Sequence, residues 1–347
     1  MKSTELKHSK TSIDRAGEVL KNKASTAKEI TKALDVLSSW RTYHAMPLDT
    51  FAKVLKQRIQ KISDSAVVAQ RLKRTPSILL KLSNHKTMRL SAMQDIGGLR
   101  AILDTTEDVY KLLDLYKKSK SKHSLFSQDD YIEIPKKDGY RSIHLVYKLA
   151  KTPNLFLEIQ LRSQLQHIWA TGVEVFGTLQ NSSFKSGHGN KKWLDFFSLL
   201  SSVFAIKESK SPLKIHKELS KLELVTRVQK EIQELQVIEN LNVYTAAYKI
   251  ISKSMPKGRA GHYSLIVLNS RENTISLETY GVSQFEAAAQ AYLSFERKHF
   301  EDTQINVVLV NTEDLKKLEL SYPNYFMDTK ILVQKLSLIV MGRFFET

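Results

Sequence analysis

Acidic, amide and basic side chains share one face of a short apolar segment. In LFLEIQLRSQ, residues 155–164, the two-residue period of a strand places Glu158, Gln160 and Arg162 together, opposite aliphatic residues. Asp95 begins a second apolar segment, SAMQDIGGLRAIL, whose two glycines allow a ligand or another strand to approach the backbone. The pattern suits a charged binding site, but also the solvated side of an antiparallel sheet and a simple turn.

The two carboxylates predict a metal site if their strands are neighbours. At an effective dielectric constant of ~20, two carboxylates ~5 Å apart repel each other by about 3 kcal/mol. A Mg²⁺ ion between them reverses the sign, because hard divalent cations bind carboxylate oxygens together with substrate phosphates. We therefore predict that Asp95 and Glu158 are catalytic residues and bind Mg²⁺.

A second set of residues suits a nucleotide. Arg71 and Lys73 share one face of a strand, and Lys81 follows on the next helix. These cations suit a triphosphate, since the sequence has no glycine-rich phosphate-binding motif. Tyr140 lies at the turn KKDGY, where its ring can stack on a base, and His144 follows on RSIHLVYKL. A plain hairpin turn and a half-buried sheet are the alternatives.

The chain is basic, and the excess charge is N-terminal. Its 347 residues carry a formal net charge of +17, and residues 1–100 hold 20 Lys and Arg against 8 Asp and Glu. In FAKVLKQRIQKI, helical spacing separates an apolar side from four cations, Lys53, Lys56, Arg58 and Lys61. This distribution favours a polyanionic partner such as nucleic acid, with a solvated helix face as the alternative.

The order of elements predicts an α+β fold. Residues 1–63 have helical periodicity, and residues 65–162 alternate strand-like and helical segments, which indicates a mixed β-sheet flanked by helices. From Pro212, apolar residues recur every three or four positions, which predicts one long connecting helix to about Asn240. Strands and helices after it form a small α+β domain. We predict domains at 1–205 and 241–347, with 206–240 as the connecting helix.

Composition excludes several classes of protein. The absence of cysteine excludes disulfides, cysteine-ligated zinc and thiol catalysis. No apolar run reaches the ~18 residues of a membrane span, and the opening residues lack the apolar core of a signal peptide. We therefore expect a cytoplasmic protein without a membrane partner.

Four motifs resemble, in their order and separations, the synthetase domain of the RelA/SpoT alarmone enzymes. They are R-x-K at Arg71 with Lys81 downstream, DIGGLR at 95–100, YIEIPKKDGYRSIH at 131–144 and EIQLR at 158–162. The resemblance covers roughly residues 40–205. It implies transfer of the β,γ-pyrophosphate of ATP to a ribose 3′-hydroxyl, with Asp95 and Glu158 on Mg²⁺. No His-Asp dipeptide occurs, which the hydrolase half of the family needs, so we expect a synthetase alone.

The resemblance also implies roles for individual side chains. ATP would be bound by Arg71, Lys73, Lys81 and Arg100. Tyr140 would stack on the acceptor base, in a site that also includes Lys136, His144, Gln160 and Arg162. Two positions depart from the family: Asp138 stands where many relatives have Asn, and Thr171 where many have Glu. Both departures put recognition of GDP or GTP as the acceptor in question.

The C-terminal part, with Tyr322-Pro-Asn-Tyr325, resembles the fused toxin–antitoxin branch of the CapRel type. That resemblance implies pyrophosphorylation of the 3′-CCA end of tRNA, which stops translation. We expect the basic helix to bind that tRNA through Lys53, Lys56, Arg58 and Lys61. It implies restraint by a C-terminal pseudo-zinc-finger domain until a phage protein, the major capsid protein, binds. We expect Tyr322 and Tyr325 to cover the ATP site, unless they only pack a loop on a helix. A GDP/GTP pyrophosphokinase and an inactive nucleic-acid-binding module are the alternatives.

Overall fold

The structure is a computed structural model, and it describes most of the chain. The described residues are 7–150, 155–179, 191–235, 237–238, 241, 263–269, 271–272, 274–281, 283–299, 302, 305–311 and 330–346. Tyr322 and Tyr325 lie outside them, as does the first of the three strands predicted near the C-terminus.

A five-stranded mixed sheet forms the centre of the N-terminal part, with strand order β1-β2-β5-β4-β3. Its strands are β1 (Val67–Leu72), β2 (Gly97–Leu103), β3 (Ser124–Asp130), β4 (Ile143–Lys148) and β5 (Phe156–Ser163). The β2–β5 pair is parallel, and the other three pairs are antiparallel. The predicted α+β class with a mixed sheet flanked by helices is therefore confirmed.

Strand β5 has one dry face and one polar face. Leu157, Ile159 and Leu161 are fully buried in the main core. Glu158 and Gln160 point to the other face, because successive side chains of a strand alternate. In register, Glu158 lies between Gly98 of β2 and Val146 of β4. The central strands of the sheet therefore carry the polar row.

Four helices precede or connect the first strands: α1 (Lys10–Lys21), α2 (Ala27–Ile59), α3 (Thr75–Asn84) and α4 (Thr106–Lys117). A capping box between Thr26 and Glu29 begins α2, the longest of them. Its buried side packs on the sheet, where His44 lies against Gly97: a Cβ added at Gly97 would lie 2.5 Å from Leu157 and 3.5 Å from His44. A glycine at position 97 thus allows helix and sheet to pack closely.

A second apolar cluster is formed by helices. It joins α5 (Gln164–Leu179), α6 (Lys191–Lys207), α7 (Lys221–Glu234) and the last helix, α9 (Lys330–Val340). Leu332 and Leu336 of α9 are buried in this cluster, and Phe344 stacks on Phe204 with ring centroids 5.5 Å apart. Helix α9 therefore completes a core that it shares with α5, α6 and α7.

The predicted helix from Pro212 to about Asn240 is too long. A 3₁₀ turn occupies Lys214–His216, and α7 begins at Lys221 after Ser220, whose side chain forms a capping box with Glu223. The cap satisfies the first backbone N–H groups of α7, so the helix begins there although apolar spacing continues upstream.

A small three-stranded sheet, in the order β7-β6-β8, packs with one helix beside the main core. Its elements are β6 (Tyr263–Asn269), β7 (Thr274–Tyr280), α8 (Phe285–Lys298) and β8 (Ile305–Asn311). Tyr263, Leu265 and Tyr292 are buried in the same core as α2 and β2. The domain limits at residues 206 and 241 remain a prediction. Within the described parts of the chain, no helix is long and apolar enough to span a bilayer.

Candidate active site

Asp95 lies between two ammonium groups. The backbone N–H of Lys73, just after β1, donates to the carbonyl of Ile96 at 2.7 Å, which places Lys73 beside Asp95. Lys73 Nζ donates to Asp95 Oδ2 at 2.8 Å, and Lys81 Nζ donates from α3 to Oδ1 at 3.0 Å. Burial raises the pKa of Asp95, but the two ammonium charges outweigh it and hold that pKa below its ordinary value. Asp95 is therefore ionised at neutral pH.

Glu158 also has both carboxylate oxygens in contact with other side chains. His144 Nδ1 lies 2.9 Å from Oε1, and Gln160 Nε2 donates to Oε2 at 2.8 Å. Burial raises the pKa of Glu158, but His144, Gln160 and the charge of Arg71 together lower it to about 2. The negative charge of Glu158 in turn raises the pKa of Asp95, so the two carboxylates lie near enough to interact.

Arg71 and Arg100 lie on the face of the sheet that carries Glu158. Arg71 of β1 pairs with Gly98 of β2, and Gly98 pairs with Glu158 of β5. Directly opposite residues of neighbouring strands share a face, so Gly98 lies between Arg71 and Glu158. A Cβ added at Gly98 would have its nearest contact 4.0 Å away, at the carbonyl of Arg71. Arg100, two residues further along β2, pairs with Gln160.

Tyr140 belongs to a ring of hydrogen bonds with four other side chains. Its hydroxyl lies 2.7 Å from His144 Nε2 and accepts from Arg162 Nη2 at 2.7 Å. Arg162 also donates to Gln160 Oε1 at 3.0 Å, and Gln160 leads to Glu158. Burial raises the pKa of Tyr140, but Arg162 and His144 outweigh it and lower that pKa to about 7. The structure thus joins four predicted acceptor residues to a predicted metal ligand.

A tight turn positions the ring of Tyr140. Asp138 Oδ1 accepts from the Tyr140 N–H at 2.9 Å, and Gly139 has a φ of 96°, which favours glycine. A Cβ at Gly139 would lie 2.7 Å from Ser201 Cβ, and Ser201 Oγ donates to the Gly139 carbonyl at 2.6 Å. Ser201 of α6 therefore contacts the backbone of this turn and holds it in place.

Tyr131 is a site residue that the sequence reasoning missed. Lys136 Nζ lies 4.5 Å from the centre of the Tyr131 ring and 5.0 Å from that of Tyr140. Tyr131 also meets His144 edge-on, with ring centroids 5.2 Å apart. Its place at the start of YIEIPKKDGYRSIH was the available signal. A cation held over two aromatic rings is a favourable arrangement and orders the segment before Tyr140.

The other predicted residues have different surroundings. Lys53 bridges Asp49 at 2.9 Å and Lys61 is exposed, while Arg58 lies over the ring of Tyr116 at 4.0 Å. Lys56, on the same helix, is half-buried. Thr171, the departure noted in the sequence, is buried, and its hydroxyl donates to the carbonyl of His167 at 2.8 Å. Lys53 and Arg58 of this basic helix therefore already contact other side chains of the protein.

The donor set fits a hard divalent cation. Glu158 lies beside Gly98, which has no side chain, and its charge acts on Asp95, so the two carboxylates suit Mg²⁺ completed by water and phosphate oxygens. The described residues contain no cluster of three or more His, Asp or Glu that could hold a metal without such additional ligands. Asp95 and Glu158 would hold the ion, after exchange of their present hydrogen-bond partners.

The central part of the chain is similar to known proteins. The family described as "Region found in RelA / SpoT proteins" matches residues 70–177. "Probable GTP diphosphokinase RSH3, chloroplastic" of Arabidopsis thaliana is 34% identical over 126 residues, which are 35% of this chain and 16% of that protein. "GTP pyrophosphokinase YjbM" of Bacillus subtilis is 35% identical over 112 residues, 30% of this chain and 52% of that protein. The chain thus spans about a sixth of the first relative's length and about half of the second's.

One solved structure with a similar part is that of small alarmone synthetase 1 from Bacillus subtilis, bound to its product pppGpp. It is 24% identical, with a TM-score of 0.39, and the match covers 47% of this chain and 90% of that one. The family match covers the segment that contains Asp95, Tyr140 and Glu158. Residues 70–177 of this chain are therefore similar to the region found in RelA/SpoT proteins.

Proposed function

We propose that this chain is an ATP-dependent pyrophosphokinase. The observation that carries the proposal is that Asp95, held by two lysines, lies near enough to feel the charge of Glu158, which is joined by hydrogen bonds to a tyrosine-bearing turn. In the reaction, the acceptor 3′-oxygen forms a bond to the β-phosphorus of ATP. The bond between that phosphorus and the α,β-bridging oxygen breaks, AMP leaves, and the hydroxyl proton passes to a base.

The cations at the end of β1 would bind the donor. Lys73 and Lys81 contact Asp95, and Arg71 and Arg100 lie on the sheet face that carries Glu158, so these four cations together offset the charge of a triphosphate. Mg²⁺, when bound, would neutralise developing charge on the phosphate oxygens. Lys73 and Lys81 donate to Asp95, so both ammonium groups lie beside a carboxylate that would bind the ion.

The tyrosine-bearing turn would bind the acceptor. The ring of Tyr140 is a stacking surface for a base, with Lys136 above it and Arg162 5.1 Å from its centre. Glu158 is ionised, and His144 links it by hydrogen bonds to Tyr140, so this carboxylate helps to hold the acceptor turn in place. The same carboxylate would thus serve the acceptor and the metal.

Substitution of Tyr140 separates stacking from hydrogen bonding. Stacking on an aromatic ring is worth ~1–3 kcal/mol per base, so Tyr140→Ala should raise the acceptor KM about tenfold or more. Tyr140→Phe keeps the ring and should retain most of the acceptor affinity. Steady-state rates at varied acceptor and saturating ATP measure both variants. Equal loss in the two variants would place the contribution of Tyr140 in its hydroxyl rather than in its ring.

For the acceptor we propose the 3′-CCA end of tRNA. The resemblance to the fused toxin–antitoxin branch and the basic N-terminal hundred residues support it. GDP or GTP is the second candidate, because the two relatives are named as a probable GTP diphosphokinase and a GTP pyrophosphokinase. Incubation of a chain carrying Tyr322→Ala and Tyr325→Ala, which removes the restraint proposed below, with γ-labelled ATP and either bulk tRNA or GDP distinguishes them by the species that carries label. If neither becomes labelled, the inactive nucleic-acid-binding module is favoured.

We also propose that the C-terminal part restrains the enzyme through Tyr322 and Tyr325, and that a phage protein, the major capsid protein, releases it. A tethered domain reaches an effective concentration of order millimolar, which can compete with cellular ATP. An activator must bind the released form more tightly than the docked form.

Expression in bacteria tests the restraint. The full chain should be tolerated, and Tyr322→Ala with Tyr325→Ala should be toxic. Truncation before residue 241 is a poorer test, because it would also remove Leu332 and Leu336 from a buried cluster. A matched pair, Tyr280→Ala with Phe345→Ala, controls for loss of aromatic side chains. A silent double variant at 322 and 325 would assign these two tyrosines a structural role.

A further inference from the structure

A buried ion pair joins the C-terminal part of the chain to the donor side of the candidate site. Arg41 of α2 and Glu296 of α8 are 1% and 7% exposed, and Arg41 Nη1 donates to Glu296 Oε2. Arg41 also donates to the hydroxyl of Tyr292 and, at 3.0 Å, to Thr75 Oγ1. The Tyr292 hydroxyl donates to Glu296 Oε1 at 2.9 Å. Four buried side chains from three helices thus form one polar cluster.

The cluster lies at the junction between β1 and α3. Thr75 is the first residue of α3, and its cap residue, Arg74, makes no side-chain capping bond. The Thr75 N–H instead donates to the carboxylate of Glu296, at 3.2 Å to Oε1 and 3.3 Å to Oε2, and Thr75 Oγ1 donates to Oε2 at 2.9 Å. An acidic group at a helix N-terminus satisfies free N–H groups and complements the helix dipole. Glu296 therefore caps α3 from 221 residues away.

The capped junction carries the donor cations. Lys73 stands two residues before the capped Thr75, and Lys81 stands on the helix that begins there. Both ammonium groups converge on Asp95, at 2.8 and 3.0 Å, which requires the end of β1 and the axis of α3 to keep a fixed relation. The Tyr292 hydroxyl also lies 3.4 Å from the carbonyl of Leu72, the last residue of β1. The polar cluster thus contacts both elements that bear these lysines.

We infer that Glu296 is a positioning residue for the donor site. By capping α3 it holds Lys73 and Lys81 in the geometry that receives the ATP phosphates, so the C-terminal α8 is part of the donor site's support. The role of these lysines toward ATP rests on the proposed function. The capping itself stands on the contacts at Thr75.

The test uses Glu296→Gln in the full chain, with Glu286→Gln as the control on an exposed position of the same helix. Hydrogen exchange of α3 peptides measures the cap, and titration with a non-hydrolysable ATP analogue measures the donor site. Loss of a cap or of a charged hydrogen bond corresponds to about fivefold to fiftyfold, so exchange in α3 should quicken and ATP affinity should fall by such factors. The acceptor KM should stay within about twofold, because the acceptor turn rests on α6 and not on α3. Glu286→Gln should match the native protein.

A second variant covers the case in which Glu296→Gln fails to fold, since an unpaired buried arginine is strongly destabilising. Arg41→Met with Glu296→Leu removes both charges, which is often neutral for stability, yet leaves α3 uncapped. It should lose ATP affinity to the same degree. Unchanged ATP affinity in a folded variant would overturn the inference, as would an equal loss of acceptor affinity. If the native chain, and also a chain with Tyr322→Ala and Tyr325→Ala, bound no ATP, the proposed function would fail while the exchange data still decided the capping.

Discussion

Glu158→Gln should abolish pyrophosphate transfer while the protein remains folded. The substitution keeps the shape of the side chain and its place between Leu157 and Ile159, both fully buried, so β5 should be preserved. It removes the charge that would bind Mg²⁺ and the carboxylate that faces His144 at 2.9 Å. Since several kcal/mol of charge stabilisation are lost, the rate should fall by about a thousandfold or more.

The measurement is transfer of label from γ-labelled ATP in a chain that also carries Tyr322→Ala and Tyr325→Ala, with thermal unfolding followed in parallel. Glu133→Gln is the matched control. The side chain of Glu133 is 67% exposed, and it forms an ion pair with Lys210. The control should keep native activity. Near-native transfer by Glu158→Gln would remove this carboxylate from both the metal site and catalysis.

Asp95→Asn should also eliminate transfer, for a partly different reason. Asparagine cannot offset the ammonium groups of Lys73 and Lys81, which both contact Asp95 at hydrogen-bonding distance. Burial lowers the pKa of Lys73, and its neighbour Arg71 lowers it further, while Asp95 opposes both. Loss of the carboxylate should therefore lower the pKa of Lys73 again and turn an attractive cluster into a repulsive one.

Transfer should fall by about a thousandfold or more, as expected for loss of a metal ligand, and added Mg²⁺ should not restore it. Asp104→Asn provides the control, because Asp104 accepts from Ser63 at 2.8 Å in a loop at the other end of β2. Calorimetric titration with Mg²⁺ and an ATP analogue gives an independent readout. Native metal and nucleotide affinity in Asp95→Asn would contradict the assignment even if the rate were low.

Local patterns in the sequence were sufficient for the strands of the site. The alternation in LFLEIQLRSQ placed Glu158 and Gln160 opposite buried aliphatic residues, because side chains of a strand alternate whatever its neighbours are. The Asp-Gly pair before Tyr140 predicted a turn, since an aspartate and a residue with positive φ suit it locally. The mixed sheet followed from the order of these elements.

Apolar spacing was less reliable where capping decides the boundary. The predicted stripe of the connecting helix included Ile215 and Leu222, which are 74% and 75% exposed. Two other members of the stripe, Val228 and Ile232, are buried in α7 together with Leu224, on a helix that begins only after the Ser220 cap. Residues before the cap do not lie on the helix, so their apolar spacing gives no information on its buried face, and periodicity alone does not specify that start.

Tertiary structure decided which charges meet. That Lys73 and Lys81 both reach Asp95 depends on how α3 folds back from β1, and that Tyr140, His144 and Glu158 share hydrogen bonds depends on the β4–β5 register. Glu296 caps a helix 221 residues away, a contact that no local pattern encodes. The sequence by itself determined the residue types, the strand faces and the turn, because these are local properties. Only the packing of distant segments determined their partners, because hydrogen bonds and ion pairs need atoms within about 3–4 Å of each other.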